Sequence, residues 1–199
     1  FANGSRRSVE LRQDGTTQLG NLALLDFEDG TNGCKTALLN TVIEGSVEDR
    51  GQIRAISFVV GVPEEKNHVN STAEVAPLNT SGLWWSWNTG FIFFRTDLIT
   101  TGMPGGWGVH LGSTECTGNG NGVATCGKPN RPTITLDNFD PAKNAIVLDL
   151  KTLLATSNVD VNVNGSAGCH SDTTDNECGP ILESLGVTGS QKVFRVGAL

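Results

Sequence analysis

The chain has 199 residues, of which 14 are Lys or Arg and 21 are Asp or Glu, so its formal net charge is −7. This acidic balance argues against a nucleic-acid binder with clustered cations and against a polybasic membrane patch. No apolar run is long enough to span a bilayer, and 37% hydrophobic residues are too many for a disordered chain. Five Cys favour an oxidising compartment, and their odd number leaves one thiol to explain.

Turn residues recur along the whole chain at a spacing typical of an all-β domain. The strongest predicted strand is 53–62, where Ile56, Phe58 and Val60 alternate on one face. The other predicted strands are 9–12, 22–27, 41–47, 91–98, 107–112, 133–136 and 191–196. Short helices are predicted at 149–155 and 180–185. The sequence therefore predicts one β-rich, sandwich-like domain over residues 1–199, with long loops and one or two short helices.

The cysteines bracket short polar segments. Cys116 and Cys126 enclose a Gly/Asn-rich loop, and Cys169 and Cys178 enclose an Asp-rich one. Four Cys allow three connectivities, and local pairing within each loop is favoured over a zinc site because no C-x2-C pair is present. Cys34 remains as the fifth.

The sequence contains three histidines, at positions 68, 110 and 170. His110 is predicted to lie on a strand face with Gly108 and Gly112, which leaves open space beside its imidazole. Taken alone, His110 is more often a core residue bonded to backbone, and His68 and His170 are more often solvated loop residues. A pair of imidazoles suits copper or zinc if a third ligand or an open position completes the site.

Two further features allow a structural or a functional interpretation. Trp84, Trp85 and Trp87 form an aromatic cluster that is consistent with core packing, a metal-adjacent indole or a stacking platform for sugar. The acidic runs at 26–29 and 172–177 offer oxygen ligands for calcium. Neither run fits an EF-hand, so solvated turns are the favoured interpretation of both.

Distinctive motifs run from residue 20 to residue 187. They are LALLDFEDG at 22–30, GVP at 61–63 with Asn67-His68, PLN at 77–79, WSW at 85–87, FRTDL at 94–98, TGMPGGW at 101–107, HLGST at 110–114, and Cys116, Cys126, Cys169 and Cys178. In combination they resemble the MbnP-like, or metallo-mystery-pair four-Cys-motif, family. That family includes copper-associated surface proteins of methane-oxidising bacteria.

The resemblance implies a secreted, periplasmic or surface-associated β-rich protein with a dihaem MauG-like peroxidase as its partner. In relatives the partner oxidises a Trp to kynurenine, and two His hold copper. Carried over by motif, the copper ligands are His68 and His110. No motif fixes the oxidised Trp: the first candidates are Trp85 and Trp87, and Trp107 is a further candidate that is expected to face away from His110. His170 stands where many members have Met, so it is a candidate for an extra ligand.

The resemblance also bears on Cys34, because family members usually carry an upstream segment with a Cys. We therefore expect the chain to lack that N-terminal segment. The resulting hypothesis is an extracytoplasmic protein that captures or handles copper and is not an enzyme. The alternative is a structural or carbohydrate-contacting surface module that uses Trp84, Trp85 and Trp87 without a metal.

Overall fold

The computed structural model describes residues 1–28, 39–48, 51–86, 88–118 and 124–199. Its strands are β1 (Glu10–Leu11), β2 (Gln18–Leu19), β3 (Leu22–Ala23), β4 (Gly45–Ser46), β5 (Ala55–Val59), β6 (Trp84–Ser86), β7 (Gly90–Leu98), β8 (Trp107–Gly112), β9 (Thr114–Gly118), β10 (Ala124–Lys128), β11 (Thr133–Asp137), β12 (Asn144–Leu148), β13 (Gly168–Cys169) and β14 (Phe194–Ala198). The α-helices are α1 (Glu64–Asn67), α2 (Leu150–Leu154) and α3 (Cys178–Leu185), and a 3-10 turn spans Ser71–Ala73.

A four-stranded sheet with the order β13-β8-β7-β6 lies at the centre of the fold. Strands β7 and β8 are antiparallel, with Arg95 opposite His110, whereas β13 runs parallel to β8. The remaining described strands pair two by two: β1 with β4, β2 with β3, β5 with β11, β9 with β10, and β12 with β14. The architecture is all-β and sandwich-like, as the sequence predicts.

The main core lies on one face of β8. Trp107, Val109 and Leu111 alternate along the strand and are each 1% exposed, because side chains of a strand point to opposite faces in turn. They pack with α3, whose apolar side includes Ile181 and Leu185 and whose C-cap is Gly186 in the left-handed conformation. The opposite face of β8 is therefore available for other chemistry.

The predicted elements are mostly present, but their bounds differ: the strands predicted at 9–12, 22–27, 41–47 and 53–62 are shorter, whereas β7, β11 and α3 are slightly longer. The strand at 107–112 has the predicted bounds, and the helices at 149–155 and 180–185 appear as α2 and α3. The number of short helices is three within the described residues, where one or two were predicted. The extra helix, α1, is a single turn with no side-chain cap, so a local pattern gives little sign of it.

The two predicted local disulfides, Cys116–Cys126 and Cys169–Cys178, are both formed. The first joins residues that face each other directly on β9 and β10, a hairpin that the sequence predicts only as a loop. Cys34 lies outside the described residues. In the described parts of the chain, none of the helices has the length and apolar character needed to cross a bilayer.

In the acidic run before α3, the carboxyl groups of Asp175 and Glu177 share a hydrogen bond. Asp175 is 5% exposed, and its burial together with the nearby Glu177 carboxyl raises its pKa to about 6. The hydrogen bond with Asp175 and the backbone N–H of Val163 lower the pKa of Glu177 instead. The pair therefore holds one proton more tightly in the folded chain than in the unfolded chain.

We predict that Asp175→Asn flattens the pH dependence of folding stability. A carboxyl whose folded pKa is raised stabilises the fold below its unfolded value of 3.8, and this contribution is lost as pH rises through about 6. The free energy of unfolding of the wild type, taken relative to the variant, should thus fall by about 1–2 kcal/mol across this window. Chemical denaturation followed by circular dichroism at several pH values measures it.

Asp172→Asn is the matched control, because Thr174 donates to this exposed carboxylate and holds its pKa below the ordinary range. Its removal should act with the opposite sign, removing stability that is present above pH 4. A difference in the free energy of unfolding between wild type and Asp175→Asn that stays constant from pH 4 to pH 6.5 contradicts the prediction for Asp175.

Candidate metal centre

His110 lies at the middle of the β8 face that is turned away from the core. Its side chain is 13% exposed, and its Nε2 lies 2.8 Å from Oδ1 of Asp97 on the neighbouring strand β7. Gly108 and Gly112 flank it on the same face, as the alternation predicts. A Cβ at Gly108 would lie 2.9 Å from Asp97 Oδ1 and 3.2 Å from His110 Nε2, so this glycine makes room for the pair.

Asp97 is an anchored carboxylate. Burial raises its pKa, but hydrogen bonds from Arg95 and His110 outweigh this and hold the pKa below the ordinary value. Asp97 therefore stays ionised at neutral pH and can act only as an acceptor. It follows that His110 Nε2 carries the proton of this hydrogen bond, which leaves Nδ1 with a lone pair when the ring is neutral.

His170 packs against His110. Their ring centroids lie 4.3 Å apart at an interplanar angle of 59°, and His170 Nε2 lies 3.4 Å from the carbonyl oxygen of Ala167. Burial, followed by the nearby His110, lowers the pKa of His170 and keeps its imidazole neutral at neutral pH. Because a carbonyl only accepts, Nε2 is again the protonated nitrogen, and Nδ1 holds the lone pair.

Parallel pairing of β13 with β8 brings these two histidines together. Gly168 lies opposite Gly108 and Cys169 opposite Val109, so His170 follows directly from the paired segment. The Ser171 hydroxyl adds two hydrogen bonds, donating to the His110 carbonyl and accepting from the Gly112 N–H, both at 2.9 Å. The sequence-based interpretation of His170 as a surface residue is therefore wrong: it is half-buried beside His110.

His68 follows α1 and belongs to a second group of contacts. Its Nε2 lies 3.2 Å from the side-chain amide nitrogen of Asn67 and 3.3 Å from Sγ of Cys126. Asn67 is 2% exposed, accepts the Phe91 N–H at 2.9 Å and donates to Ser113 Oγ at 3.2 Å. Asn67 thus ties the His68 segment to the C-terminal end of β8, because Ser113 follows Gly112 directly.

His68, Cys116 and Cys126 place one ligand atom each within 4.8 Å of one another. Both sulfurs belong to a disulfide, so the imidazole is the strong ligand of this group in the oxidised protein. Across the described ranges, no other three His, Cys, Asp or Glu side chains meet this distance. The described residues of the acidic run 172–177 therefore form no carboxylate cluster that would support the calcium hypothesis. In the other acidic run, 26–29, residue 29 lies outside the described residues.

The tryptophans occupy different environments. The Trp85 ring covers Gly112 on the His110 face, where a Cβ would lie 2.5 Å from Cζ3. Trp84 packs against the smaller core cluster that contains Phe91. Trp107 lies on the opposite face of β8, 1% exposed, with its Nε1 donating to the Val161 carbonyl at 3.3 Å. Trp87 lies outside the described residues.

Two residues that support the histidines were not identified from the sequence. Asp97 alternates with Arg95 on a predicted strand, which indicates that they share a face but not that His110 lies opposite them. Asn67 directly precedes His68, and its burial comes from long-range contacts to Phe91 and Ser113. Neither position could be recognised from the local sequence alone, because the register of two strands and long-range side-chain contacts arise only in the folded chain.

Comparison with known proteins gives a consistent answer. The family model described as MbnP matches residues 7–171. The solved structure of MbnP from Methylosinus trichosporium is similar, with 28% identity and a TM-score of 0.81, over 99% of this chain and 82% of that one. No curated protein matches the chain.

Proposed function

Since the chain belongs to the MbnP family, we propose that it is an extracytoplasmic copper-binding protein that captures or hands on copper and performs no catalytic turnover. Two disulfides support an oxidising location outside the cytoplasm, either periplasmic, secreted or surface-associated. The acidic net charge of −7 is compatible with a protein that meets metal cations.

The observation that carries this proposal is the orientation of His110 by Asp97. Imidazoles that bind metals commonly donate their other ring N–H to a carboxylate or a backbone carbonyl, which fixes the ring and the ligating nitrogen. His110 has such a carboxylate at 2.8 Å, and His170 beside it has the Ala167 carbonyl. Imidazole nitrogens are suitable donors for copper.

We assign His68 and His110 as the copper ligands and His170 as an additional ligand. His110 and His170 are in contact, whereas His68 lies in a separate group of contacts, so its part in the site rests on the family motif. All three are half-buried, and the Asn67 amide that faces His68 Nε2 favours a lone pair on that nitrogen. When bound, copper would supply a soft to borderline, redox-active cation. The residues of the chain supply orientation, through Asp97 and Asn67, and partial exclusion of water.

Trp85 is our candidate for oxidation to kynurenine by a dihaem MauG-like partner. Its support is the position of the indole against Gly112, two residues from His110 on the same strand face. Trp107 is separated from that face by the strand itself. Peptide mapping of protein produced together with such a partner tests the assignment: a modified Trp85 supports it, and modification only at Trp87 or Trp107 overturns it.

The carbohydrate-contacting alternative receives less support. Trp84 is packed against a core cluster and Trp85 against Gly112, so both rings are engaged in contacts within the protein. A sugar platform needs aromatic faces that are presented to the ligand.

Copper titration of the purified chain tests the central proposal. We expect the chain to bind one copper. Cu(I) competition measures the affinity, and electron paramagnetic resonance detects bound Cu(II). His68→Ala and His110→Ala should each abolish tight binding, whereas His170→Ala should weaken it without changing the stoichiometry. Uptake that is unchanged in both His68→Ala and His110→Ala overturns the proposal.

Asp97→Asn should weaken copper binding by about 10–100-fold, the usual effect of removing a partner that orients a ligating His. The amide has the same shape as the carboxylate but loses its charge, so it holds the His110 Nε2–H less strongly. Cu(I) competition measures the affinity.

Asp160→Asn is the matched control for Asp97. This carboxylate accepts the Gly102 N–H at 2.9 Å, and hydrogen bonds likewise lower its pKa, but it orients no histidine. Equal losses of copper affinity in the two variants would contradict the orienting role of Asp97.

A further inference from the structure

The contact between His68 and the Cys116–Cys126 disulfide is not explained by a role of His68 in copper binding. The imidazole Nε2 lies 3.3 Å from Cys126 Sγ, and the three side chains are all half-buried. The ligand atoms already lie within 4.8 Å of one another while the disulfide is intact. Two sulfurs and one imidazole are a Cys2His donor set whose sulfurs are blocked by their mutual bond.

The environment of Asn67 defines which His68 nitrogen faces the sulfur. The Phe91 N–H can only donate, so the atom it contacts at 2.9 Å is the Asn67 carbonyl oxygen. The amide nitrogen of Asn67 is therefore the atom that lies 3.2 Å from His68 Nε2. Because that nitrogen donates, His68 Nε2 accepts, and its lone pair lies on the side of Asn67 and Cys126.

The hairpin keeps the sulfurs together without the covalent bond. Cys116 faces Cys126 in the β9–β10 ladder, and the pairing continues on both sides, with Thr117 opposite Thr125 and Thr114 opposite Lys128. The Lys128–Glu115 ion pair adds a cross-strand contact. Reduction therefore leaves two thiols at adjacent positions of a hydrogen-bonded pair of strands.

The two disulfides differ in their access to a reductant. Cys116 and Cys126 are half-buried, whereas Cys169 is 1% and Cys178 0% exposed. Thiol–disulfide exchange requires a thiolate to reach a sulfur atom, so the more exposed bond reacts first. A mild dithiol should therefore reduce the Cys116–Cys126 disulfide and leave the Cys169–Cys178 disulfide intact.

We propose that the Cys116–Cys126 disulfide is a redox gate that, when opened by a dithiol reductant, creates a Cys2His site with His68 for a thiolate-binding metal such as Zn(II). The reductant donates two electrons and two protons, its own thiols become a disulfide, and Cys116 and Cys126 become thiols. Metal binding then releases the two thiol protons to solvent, and the His68 Nε2 lone pair provides the third ligand. This inference does not require copper binding, although it uses the same His68 nitrogen that the proposed function assigns to copper.

Co(II) titration of the 199-residue chain before and after mild reduction tests the gate. A Cys34→Ser background avoids a contribution from the fifth cysteine. We expect a thiolate-to-Co(II) charge-transfer band with one equivalent of Co(II) in the reduced protein, none in the oxidised protein, and loss of the band when Zn(II) is added. Alkylation and peptide mapping should find Cys116 and Cys126 labelled and the Cys169–Cys178 disulfide intact.

Variants separate the ligands from the fold. His68→Ala and His68→Gln should weaken or abolish Co(II) binding, whereas His170→Ala, which removes the histidine next to Cys169, should keep it. The double variant Cys116→Ser/Cys126→Ser should lose the band while its circular dichroism remains native. The gate is overturned if the reduced protein forms no band, if His68→Ala binds Co(II) like the wild type, or if reduction abolishes the β-sheet signal.

Discussion

Gly168→Ala should destabilise the fold by about 2–5 kcal/mol, from left-handed backbone strain together with a backbone clash. Gly168 has a φ of +95°, and a Cβ there would overlap the carbonyl oxygen and lie 2.6 Å from the amide nitrogen of Gly108. Both of those atoms belong to the backbone of β8, so no side chain can move aside. Urea denaturation followed by circular dichroism measures the loss.

The same substitution should also disturb the pair of histidines. Strand β13 would have to move away from β8, and His170 follows β13 directly. Its pKa is lowered by burial and by His110, so separating the strands should bring the pKa of His170 back up towards its ordinary value. Proton nuclear magnetic resonance of the imidazole signals during a pH titration reports this shift.

Gly15→Ala separates the cost of left-handed backbone strain from the cost of the backbone clash. Gly15 has a φ of +73°, but no atom lies within 4 Å of the position of an added Cβ. It should therefore cost only the conformational strain, about 1–2 kcal/mol, with no change in the titration of His170. If Gly168→Ala destabilises no more than Gly15→Ala, close approach of β13 to β8 is not what holds the histidines together.

The alternating pattern at 107–112 predicted the part of the site that depends on local structure. Successive side chains of a strand face opposite sides, so the pattern alone assigns the three apolar residues to one face and the Gly-His-Gly series to the other. No contact with another segment is needed for this assignment. The structure has the same bounds, with Trp107, Val109 and Leu111 in the core. That inference needed no long-range contact.

The partners of His110 follow from long-range pairing, which local patterns do not specify. Asp97 reaches it through the register of β7 with β8, and His170 through a two-residue parallel strand more than fifty residues further along the chain. A two-residue strand has too little sequence to show a period. The resemblance to a known family supplied His68 and His110 as ligands, but the supporting Asp97 and Asn67 became evident only from their contacts.

The short loops closed by the cysteines also combine a feature that local sequence predicts with one that depends on long-range contacts. Local spacing predicted both disulfides, because each pair encloses only a short segment. The position of His68 against Cys126 depends on α1, a helix of one turn that Asn67 holds to Phe91 on β7 and to Ser113 just after β8. The Cys116–Cys126 disulfide therefore differs from the Cys169–Cys178 disulfide in having a histidine beside it, and the spacing of the cysteines does not predict this.

Trp107→Ala should lower the free energy of unfolding by about 3–5 kcal/mol, the usual cost of removing a large aromatic side chain from a packed core. The indole is 1% exposed, belongs to the main core cluster and donates its Nε1–H to the Val161 carbonyl. Urea denaturation followed by circular dichroism measures the change. Trp107→Phe should recover much of the loss, because it restores most of the buried volume.

Trp85→Ala provides the contrast on the other face of the same strand. Trp85 is half-buried and covers Gly112, so its removal empties less enclosed space and should destabilise the fold by less than Trp107→Ala does. If Trp85 is the residue that the partner oxidises, Trp85→Phe should abolish the modification while Trp107→Phe retains it. A loss of stability in Trp85→Ala equal to that in Trp107→Ala would place both indoles in the structural core and remove the distinction between the two faces of β8.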